Sequence, residues 1–263
     1  ARHAWPREAS IGLGGCTGRG AALGAPLFAQ PFEFVYGGAT THEQAGRRAA
    51  PVRACPGGGF GAGGTTTAPA LPQNVYLVRT AADGTRMWEN VYDLGPNGDD
   101  RGQALAEAQD GSGFIIAGTT YLNAASGEDM LLMKVRCDGS PLWAFAYQGA
   151  GAGSEAALDV VEAQSGNPFL GTRPGDLLVA GAAKDLAGNT DGVLLRARAS
   201  GAPIWNRRYD FAGAFEVIRG LTEARPIAPN PTGDVVGAGL FMPATGLAQG
   251  YALRVNGNTG LIA

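Results

Sequence analysis

The first three residues, Ala1-Arg2-His3, have the types and the order of a small metal site. A free amine at Ala1, two backbone amides and the imidazole of His3 can surround one ion in a square plane. Nitrogen ligands in that geometry suit Cu(II) or Ni(II). The site requires that Ala1 is the natural N-terminus, because an upstream residue would replace the amine.

A second candidate is the segment "DLAGNTDG" at 185–192, in which oxygen ligands alternate at Asp185, Asn189 and Asp191. Carboxylate and amide oxygens at alternate positions of a loop are typical of Ca(II) sites. The segment lacks the full D-x-D-x-D-G order and the terminal glutamate of such a loop. The alternative interpretation is a turn in which the Asx side chains bond to the local backbone.

Nucleophilic catalysis needs a general base, and the chain has only two histidines, His3 and His42. Neither lies in a G-x-S-x-G or similar context, so the sequence does not predict a serine or cysteine hydrolase. His42 precedes Glu43 in a predicted loop. The sequence contains an internal repeat, and other copies of it carry Asp100 and Glu155 in the corresponding loop. We therefore interpret His42 as a polar loop residue that is available for binding.

These candidates lie in the loops of a sequence that repeats itself, with about 45 to 63 residues between copies. A glycine shared by one apolar phrase stands at Gly15, Gly64, Gly118, Gly181 and Gly239. One basic residue interrupts a later apolar run, at Arg79, Lys134, Arg196 and Arg254. An aromatic residue with tyrosine four residues later follows a turn, at Phe32, Trp88, Trp143 and Trp205.

Each copy holds four short phrases that are rich in aliphatic and aromatic residues and bounded by Gly, Pro, Asn or Asp, which is typical of strands. Four antiparallel strands per repeat is typical of a β-propeller blade. We predict an all-β chain that forms one propeller of about five four-stranded blades, at 1–38, 39–95, 96–149, 150–212 and 213–263. The aromatic residues and the shared glycines are interpreted as packing positions, the glycines where sheets approach closely.

The phrase set resembles the secreted bacterial β-propeller repeats with "DGxxxWxxxYGG" and "GGyvvaGxT" blades. The resemblance covers nearly the whole chain, and the stretch from Val35 through "VYLVRTAADG" fits it well. It implies an extracytoplasmic propeller and implies no activity. "AADGTRMW" and "VRCDGSPLW" also resemble the docking phrase of quinoprotein propellers, at the level of fold.

Recurring acids at Glu8, Glu107, Glu162 and Glu223 leave two interpretations open. One is a ring of carboxylates that binds a cation in a central channel. The other is structural pairing with the recurring basic residues.

We expect the last blade to lack its outer strand in this chain, because the sequence stops near the position where that strand should begin. The chain could be a fragment, the blade could have three strands, or a partner could add a strand to it.

Composition narrows the partners. The net charge of −3 does not favour binding to nucleic acid, which is itself strongly negative. No apolar run is long enough for a transmembrane span. The three cysteines, Cys16, Cys55 and Cys137, permit at most one intramolecular disulfide.

We expect an exported, non-enzymatic binding or scaffold protein, periplasmic, secreted or at the cell surface, that binds other proteins or assembly subunits through a loop face. A carbohydrate-binding propeller is one alternative, and a metal- or quinone-dependent enzyme is another. No cofactor is expected beyond the Cu(II), Ni(II) or Ca(II) options above. The loop-face candidates are His42, Asp100, Tyr121, Asn123, Asp185, Asn189 and Asp191.

Overall fold

Fifteen β-strands and one short 3-10 helix at Pro168–Leu170 account for the regular structure of the described residues. The structure is a computed structural model that describes residues 35–95, 98–123, 127–148, 153–211, 215–224 and 233–262. All of them fall in one compact unit, Pro31–Ala263. The prediction of an all-β chain with several antiparallel sheets is confirmed.

Consecutive strands pair in order, so that each sheet is an antiparallel meander. Sheet I contains β1 (His42–Pro51), β2 (Phe60–Thr67), β3 (Asn74–Thr80) and β4 (Arg86–Tyr92). Sheet II contains β5 (Arg101–Glu107), β6 (Phe114–Asn123), β7 (Gly127–Val135) and β8 (Pro141–Tyr147). Sheet III contains β9 (Ser154–Glu162), β10 (Leu177–Lys184), β11 (Thr190–Ala197) and β12 (Pro203–Tyr209). Sheet IV contains β13 (Phe215–Glu223), β14 (Val235–Met242) and β15 (Gln249–Val255).

Sheet IV has three strands in the described residues, and an isolated bridge between Val255 and Ile262 follows the last of them. One parallel residue pair, Thr190 with Phe215, connects sheets III and IV. Sheets I to IV fall within 39–95, 96–149, 150–212 and 213–263 respectively. Most of the segment 1–38 lies outside the described residues.

The inner strands are apolar on both faces because sheets cover them from both sides. Phe114 and Ile116 of β6 point into the core between sheets I and II, whereas Ile115 and Ala117 point into the core between sheets II and III. All four side chains are at most 1% exposed. A continuous apolar run, rather than strict alternation, is what a strand buried on both faces requires. The same logic gives a third core between sheets III and IV.

The first strand of each later sheet forms the contact with the sheet before it. Strand β5 contacts β1, β2 and β3; β9 contacts β5, β6 and β7; and β13 contacts β9, β10 and β11. One packing arrangement is therefore repeated at all three junctions, which explains why the same residue types recur along the sequence.

A tyrosine hydrogen bond also repeats at these junctions. The Tyr92 hydroxyl donates to the Gly139 carbonyl (2.8 Å), and the Tyr209 hydroxyl donates to the Gly260 carbonyl (2.7 Å). Tyr147 donates in the same way to Gly201, and Tyr36 donates to Gly84. Each acceptor is a turn glycine of the following sheet with φ between +69° and +88°. Burial raises the pKa of Tyr92 to about 12, so the hydroxyl keeps its proton at neutral pH.

The tryptophans pack beside these tyrosines, as their spacing predicts. Trp88 and Trp205 each donate an indole N–H to a carbonyl of the next sheet, at Cys137 (3.0 Å) and Gly257 (3.3 Å). Trp143 packs against the core between sheets II and III. The indole and phenol rings therefore connect neighbouring sheets.

The reason for the shared glycines differs from the sequence interpretation. A Cβ on Gly118 would lie 1.8 Å from the Arg101 carbonyl oxygen, and one on Gly181 would lie 1.9 Å from that of Ala156. Both contacts are with strand one of the same sheet, at a bulge in the strand register, and not with a neighbouring sheet. Bulges bring the backbones too close for any side chain.

Sheets I and II are cross-linked by a disulfide. Cys55, in the loop after β1, is bonded to Cys137, in the turn between β7 and β8. The two residues are 82 positions apart in sequence, and their Cα atoms are 5.6 Å apart. The sequence left the choice among three cysteines open; Cys16 lies outside the described residues.

Candidate functional site

The predicted loop-face residues lie at the same end of their sheets. At this end, strands one and three of each sheet begin and strands two and four finish, and we call it the polar end. The polar ends of neighbouring sheets meet directly. The Gln73 backbone N–H, just before β3, donates to Asp99 (2.8 Å), and the Asp100 N–H donates to the Gln73 carbonyl (2.8 Å).

Acidic residues outnumber basic residues at the polar end. Its described acids are Glu43, Asp93, Asp99, Asp100, Glu128, Asp129, Glu155, Asp185, Asp191, Asp210 and Glu216. Its described basic residues are His42, Arg101, Lys184 and Arg208. The whole chain has a net charge of only −3, so the acids are concentrated at this end. Such a surface attracts cationic groups.

A cavity of about 430 Å³ opens at the polar end where sheets I, II and III meet. Its lining residues are Pro72, Gly98, Asp99, Tyr121, Gly127, Glu128 and Ser154. Arg101 borders it, with Nη1 2.6 Å from Glu128 Oε1 and Nη2 3.1 Å from Asp99 Oδ2. One aromatic ring and two partly exposed carboxylates therefore share a concave, polar site.

Gly98 sets the position of Tyr121. A Cβ at Gly98 would lie 2.0 Å from the Tyr121 carbonyl oxygen and 2.7 Å from its Cβ and Cδ1. Only a glycine leaves room for the tyrosine to pack against this backbone. The phenol is half-buried, with one side supported by the chain and the other facing the cavity.

Two of the predicted residues have contrasting surroundings. His42 is exposed at the start of β1. Asp100 is 1% exposed and accepts hydrogen bonds from the Leu94 N–H (2.7 Å) and the Thr120 hydroxyl (2.6 Å). Burial raises the pKa of Asp100, and these two bonds partly oppose that rise. Asp100 thus ties the loop after β4 to strand β6.

The other predicted residues divide between turns and a cluster. Asn123 ends β6 opposite Gly127. Asp185 accepts the backbone N–H of Asn189 (2.8 Å), which is the local turn that the alternative interpretation of "DLAGNTDG" described. Asp191 approaches Asp210 and Glu216 instead of Asp185. Ala1 and His3, the predicted Cu(II) or Ni(II) ligands, lie outside the described residues.

The recurring glutamates bind backbone amides of the neighbouring sheet. Glu107 accepts the N–H groups of Arg53 (2.7 Å), Ala54 (2.9 Å) and Cys55 (2.9 Å). Glu162 accepts the Gln109 N–H in the same way, and Glu223 accepts that of Ser165. They support the structural interpretation, although with backbone amides as partners and not basic side chains. Glu8 lies outside the described residues.

Asp99, Glu128, Asp210 and Glu216 are site residues that sequence reasoning missed. Glu216 stands in β13 where Asp100 and Glu155 stand in their own sheets, each two residues before the partner of the shared glycine. Extending the repeat alignment by one more copy would have found it. Nothing in the local sequence marks Glu128 or Asp210, because their neighbours come from other sheets.

The described part of the chain contains no helix that has both the length and the apolar character to cross a membrane. No family model matches the chain, and a comparison with curated proteins finds no match either.

Proposed function

We propose that this chain is an exported, non-enzymatic binding or scaffold protein that recognises a protein partner through the polar end of a β-propeller. The observation that carries the proposal is the Tyr121 cavity, which combines an aromatic ring with Asp99 and Glu128. Loops on a rigid scaffold are where binding residues usually lie. At the opposite end of the sheets, the recurring glutamates accept hydrogen bonds from backbone amides of neighbouring sheets.

The propeller is the arrangement that best explains the repeated junctions. The same strand contacts and the same tyrosine–glycine hydrogen bond occur from sheet I to sheet IV. A constant rotation between successive sheets would make them the blades of a propeller, and segment 1–38 would supply a further blade in the fivefold prediction. The resemblance to the secreted bacterial propeller repeats supports the same arrangement.

Export is supported by the disulfide between Cys55 and Cys137. Disulfides form and persist in oxidising compartments, and reducing systems remove them in the cytosol. A periplasmic, secreted or cell-surface location is the proposal that agrees with this bond.

The chemistry of the polar end points to a basic partner segment. A lysine or arginine side chain in the cavity would contact the Tyr121 ring and the carboxylates of Asp99 and Glu128. Asp93 and Asp210, both exposed at the same end, would extend the attraction over a longer segment. We therefore propose a partner with clustered lysine or arginine residues.

A lysine-rich peptide should bind the protein with salt-sensitive affinity, measured by fluorescence anisotropy with a neutral peptide of equal length as reference. Glu128→Gln removes one cavity carboxylate together with its ion pair to Arg101, which stays bonded to Asp99 and Gln73. We expect Tyr121→Ala and Glu128→Gln each to weaken binding about tenfold, which corresponds to about 1.4 kcal/mol.

Asp83→Asn is the matched control, because Asp83 is an exposed acid in the turn between β3 and β4, at the opposite end. It should leave the affinity unchanged. Equal losses in Glu128→Gln and Asp83→Asn, with no loss in Tyr121→Ala, would show non-specific attraction to net charge and would contradict a site at Tyr121.

Carbohydrate binding is the second candidate, because a half-buried tyrosine beside carboxylates also suits a sugar ring. Screening the protein on a glycan array separates the two. A single glycan class whose binding requires Tyr121 and resists salt would favour the sugar over the basic segment.

A further inference from the structure

Three carboxylates from separate elements converge at the junction of sheets III and IV. Asp191 lies in β11, Asp210 follows β12, and Glu216 lies in β13. One oxygen from each lies within 4.8 Å of the other two. Oxygens bound to one Ca(II) at about 2.3–2.6 Å are at most about 5 Å apart, so the spacing of these three meets the requirement for a shared ion.

Glu216 is the member of this cluster that most requires a partner. Its side chain is 0% exposed, and among the residues that the structure describes neither carboxylate oxygen has a hydrogen-bond partner. A buried carboxylate without a hydrogen bond or counter-ion is costly and rare in folded proteins. Burial raises the pKa of Glu216, and the charges of Asp210 and Asp191 raise it further. The Phe211 N–H opposes part of this rise without reaching hydrogen-bond geometry.

Neighbouring donors hold Asp191 in place but leave it able to bind a divalent ion. Arg208 binds Asp191 through Nε (3.0 Å) and Nη2 (2.8 Å), and the Asn189 side-chain amide donates to the other oxygen of Asp191 (2.9 Å). Arg208 therefore balances the charge of Asp191, whereas the described residues supply no hydrogen bond to the buried Glu216 carboxylate. Carboxylates have further lone pairs available, so these bonds orient Asp191 without blocking it.

Aromatic residues lie beside the cluster. Phe241 pairs with Glu216 across β13 and β14, and it lines an apolar cavity of about 270 Å³ together with Phe211 and Tyr251. The ring centroids of Phe211 and Tyr251 are 5.6 Å apart. Burial, with a smaller effect from the Glu216 charge, raises the pKa of Tyr251 to about 12. Apolar surroundings weaken screening and strengthen attraction between a cation and the carboxylates.

We propose that Asp191, Asp210 and Glu216 bind a hard divalent cation of the Ca(II) class between sheets III and IV. An all-oxygen ligand set with no imidazole or thiolate selects Ca(II) or Mg(II) over softer metals. The ion would join two sheets that share a single backbone pair, Thr190 with Phe215. This site keeps Asp191 of the sequence prediction and replaces Asp185 and Asn189 with acids from other elements.

Isothermal titration of the metal-free protein with CaCl₂ should show one site per chain, and added Ca(II) should raise the melting midpoint by several degrees. Glu216→Gln should abolish both effects. Asp210→Asn, at an exposed position, should weaken Ca(II) binding at least about tenfold, the lower limit of the loss typical even of an outer-sphere partner. Asp185→Asn is the matched control in the adjacent turn and should bind like the wild type.

Asp210→Asn keeps the test decisive if Glu216→Gln does not fold. Terbium supplies a second readout, since a nearby tyrosine sensitises its emission; Tyr251→Phe should reduce that emission while Ca(II) affinity is retained. The proposal would be overturned if Ca(II), Mg(II) and Mn(II) give the wild-type protein neither a measurable heat of binding nor a higher melting midpoint. So would unchanged Ca(II) binding in Asp210→Asn, or binding of an alkylammonium ion in preference to the metals.

Discussion

Arg196→Met should lower the free energy of unfolding by about 3–5 kcal/mol, the usual cost of removing one partner from a buried ion pair. Arg196 is 1% exposed and lies in β11 of sheet III. Its Nε donates to Asp176 (2.9 Å), and its Nη groups donate to the carbonyls of Ser165 (2.8 Å), Arg173 (3.0 Å) and Gly257 (2.8 Å). Methionine fills much of the volume but removes the cation beside the buried Asp176, which among the described residues keeps only the Arg173 N–H (2.7 Å), and it removes a donor from each of these carbonyls.

The repeat supplies its own control, because Arg254 stands at the equivalent position of sheet IV. Its side chain is 66% exposed, although it also pairs with an aspartate, Asp234. Water reaches the Arg254 guanidinium but not that of Arg196, so Arg254→Met should cost clearly less than Arg196→Met, even though its partner Asp234 is 4% exposed. Urea unfolding followed by tryptophan fluorescence measures both variants. Equal losses would mean that burial does not distinguish the two positions.

Removing the disulfide should have the second largest effect. The double variant Cys55→Ala, Cys137→Ala should lose about 2–4 kcal/mol, because the bond restricts the unfolded chain across 82 residues. Cys55 is 2% exposed and belongs to the core between sheets I and II, so packing is lost as well. Thermal unfolding measured by circular dichroism gives the size of the loss.

Cys16→Ala is the control for the disulfide variant, since it leaves this cross-link intact. It should unfold with the wild-type midpoint. Dithiothreitol should lower the midpoint of the wild type and of Cys16→Ala, and it should leave the double variant unchanged. A wild type that is insensitive to dithiothreitol, together with free thiols at Cys55 and Cys137 by mass spectrometry, would contradict the bond.

The repeat phrases predicted the strands well because each phrase records one packing arrangement. Trp88 and Tyr92 lie four residues apart on one strand, so they face the same neighbouring sheet. The recurring glycines, acids and turns occupy equivalent positions because every sheet is the same antiparallel meander. Local pattern therefore sufficed for sheets I to IV and for the polar end that their loops form.

What the sequence did not reveal depends on contacts between distant residues. The bulge that requires Gly118 arises where Arg101 approaches it within the sheet, which no local pattern shows. Glu107 binds three backbone amides of sheet I, and backbone amides leave no residue type to recognise. A search for charge partners therefore pointed to basic side chains that bind elsewhere.

The surroundings of the candidate sites also depend on distant residues. "DLAGNTDG" has ligands at suitable spacing, yet Asp185 caps its own turn, while Asp191 meets Asp210 and Glu216 from other elements. Tyr121 was found from its type and loop position. Its supporting residue, Gly98, and its acidic neighbours became recognisable only when the polar ends of three sheets were placed together.

An experimental structure of the protein from its native source would test the central claim most directly, namely that identical junctions relate successive sheets. We predict that one constant rotation about a common axis superposes sheets I, II, III and IV. The hydroxyls of Tyr36, Tyr92, Tyr147 and Tyr209 would each bind a turn glycine of the next sheet. Sheets related by unequal rotations or by translation, with these tyrosines in unrelated surroundings, would contradict the account.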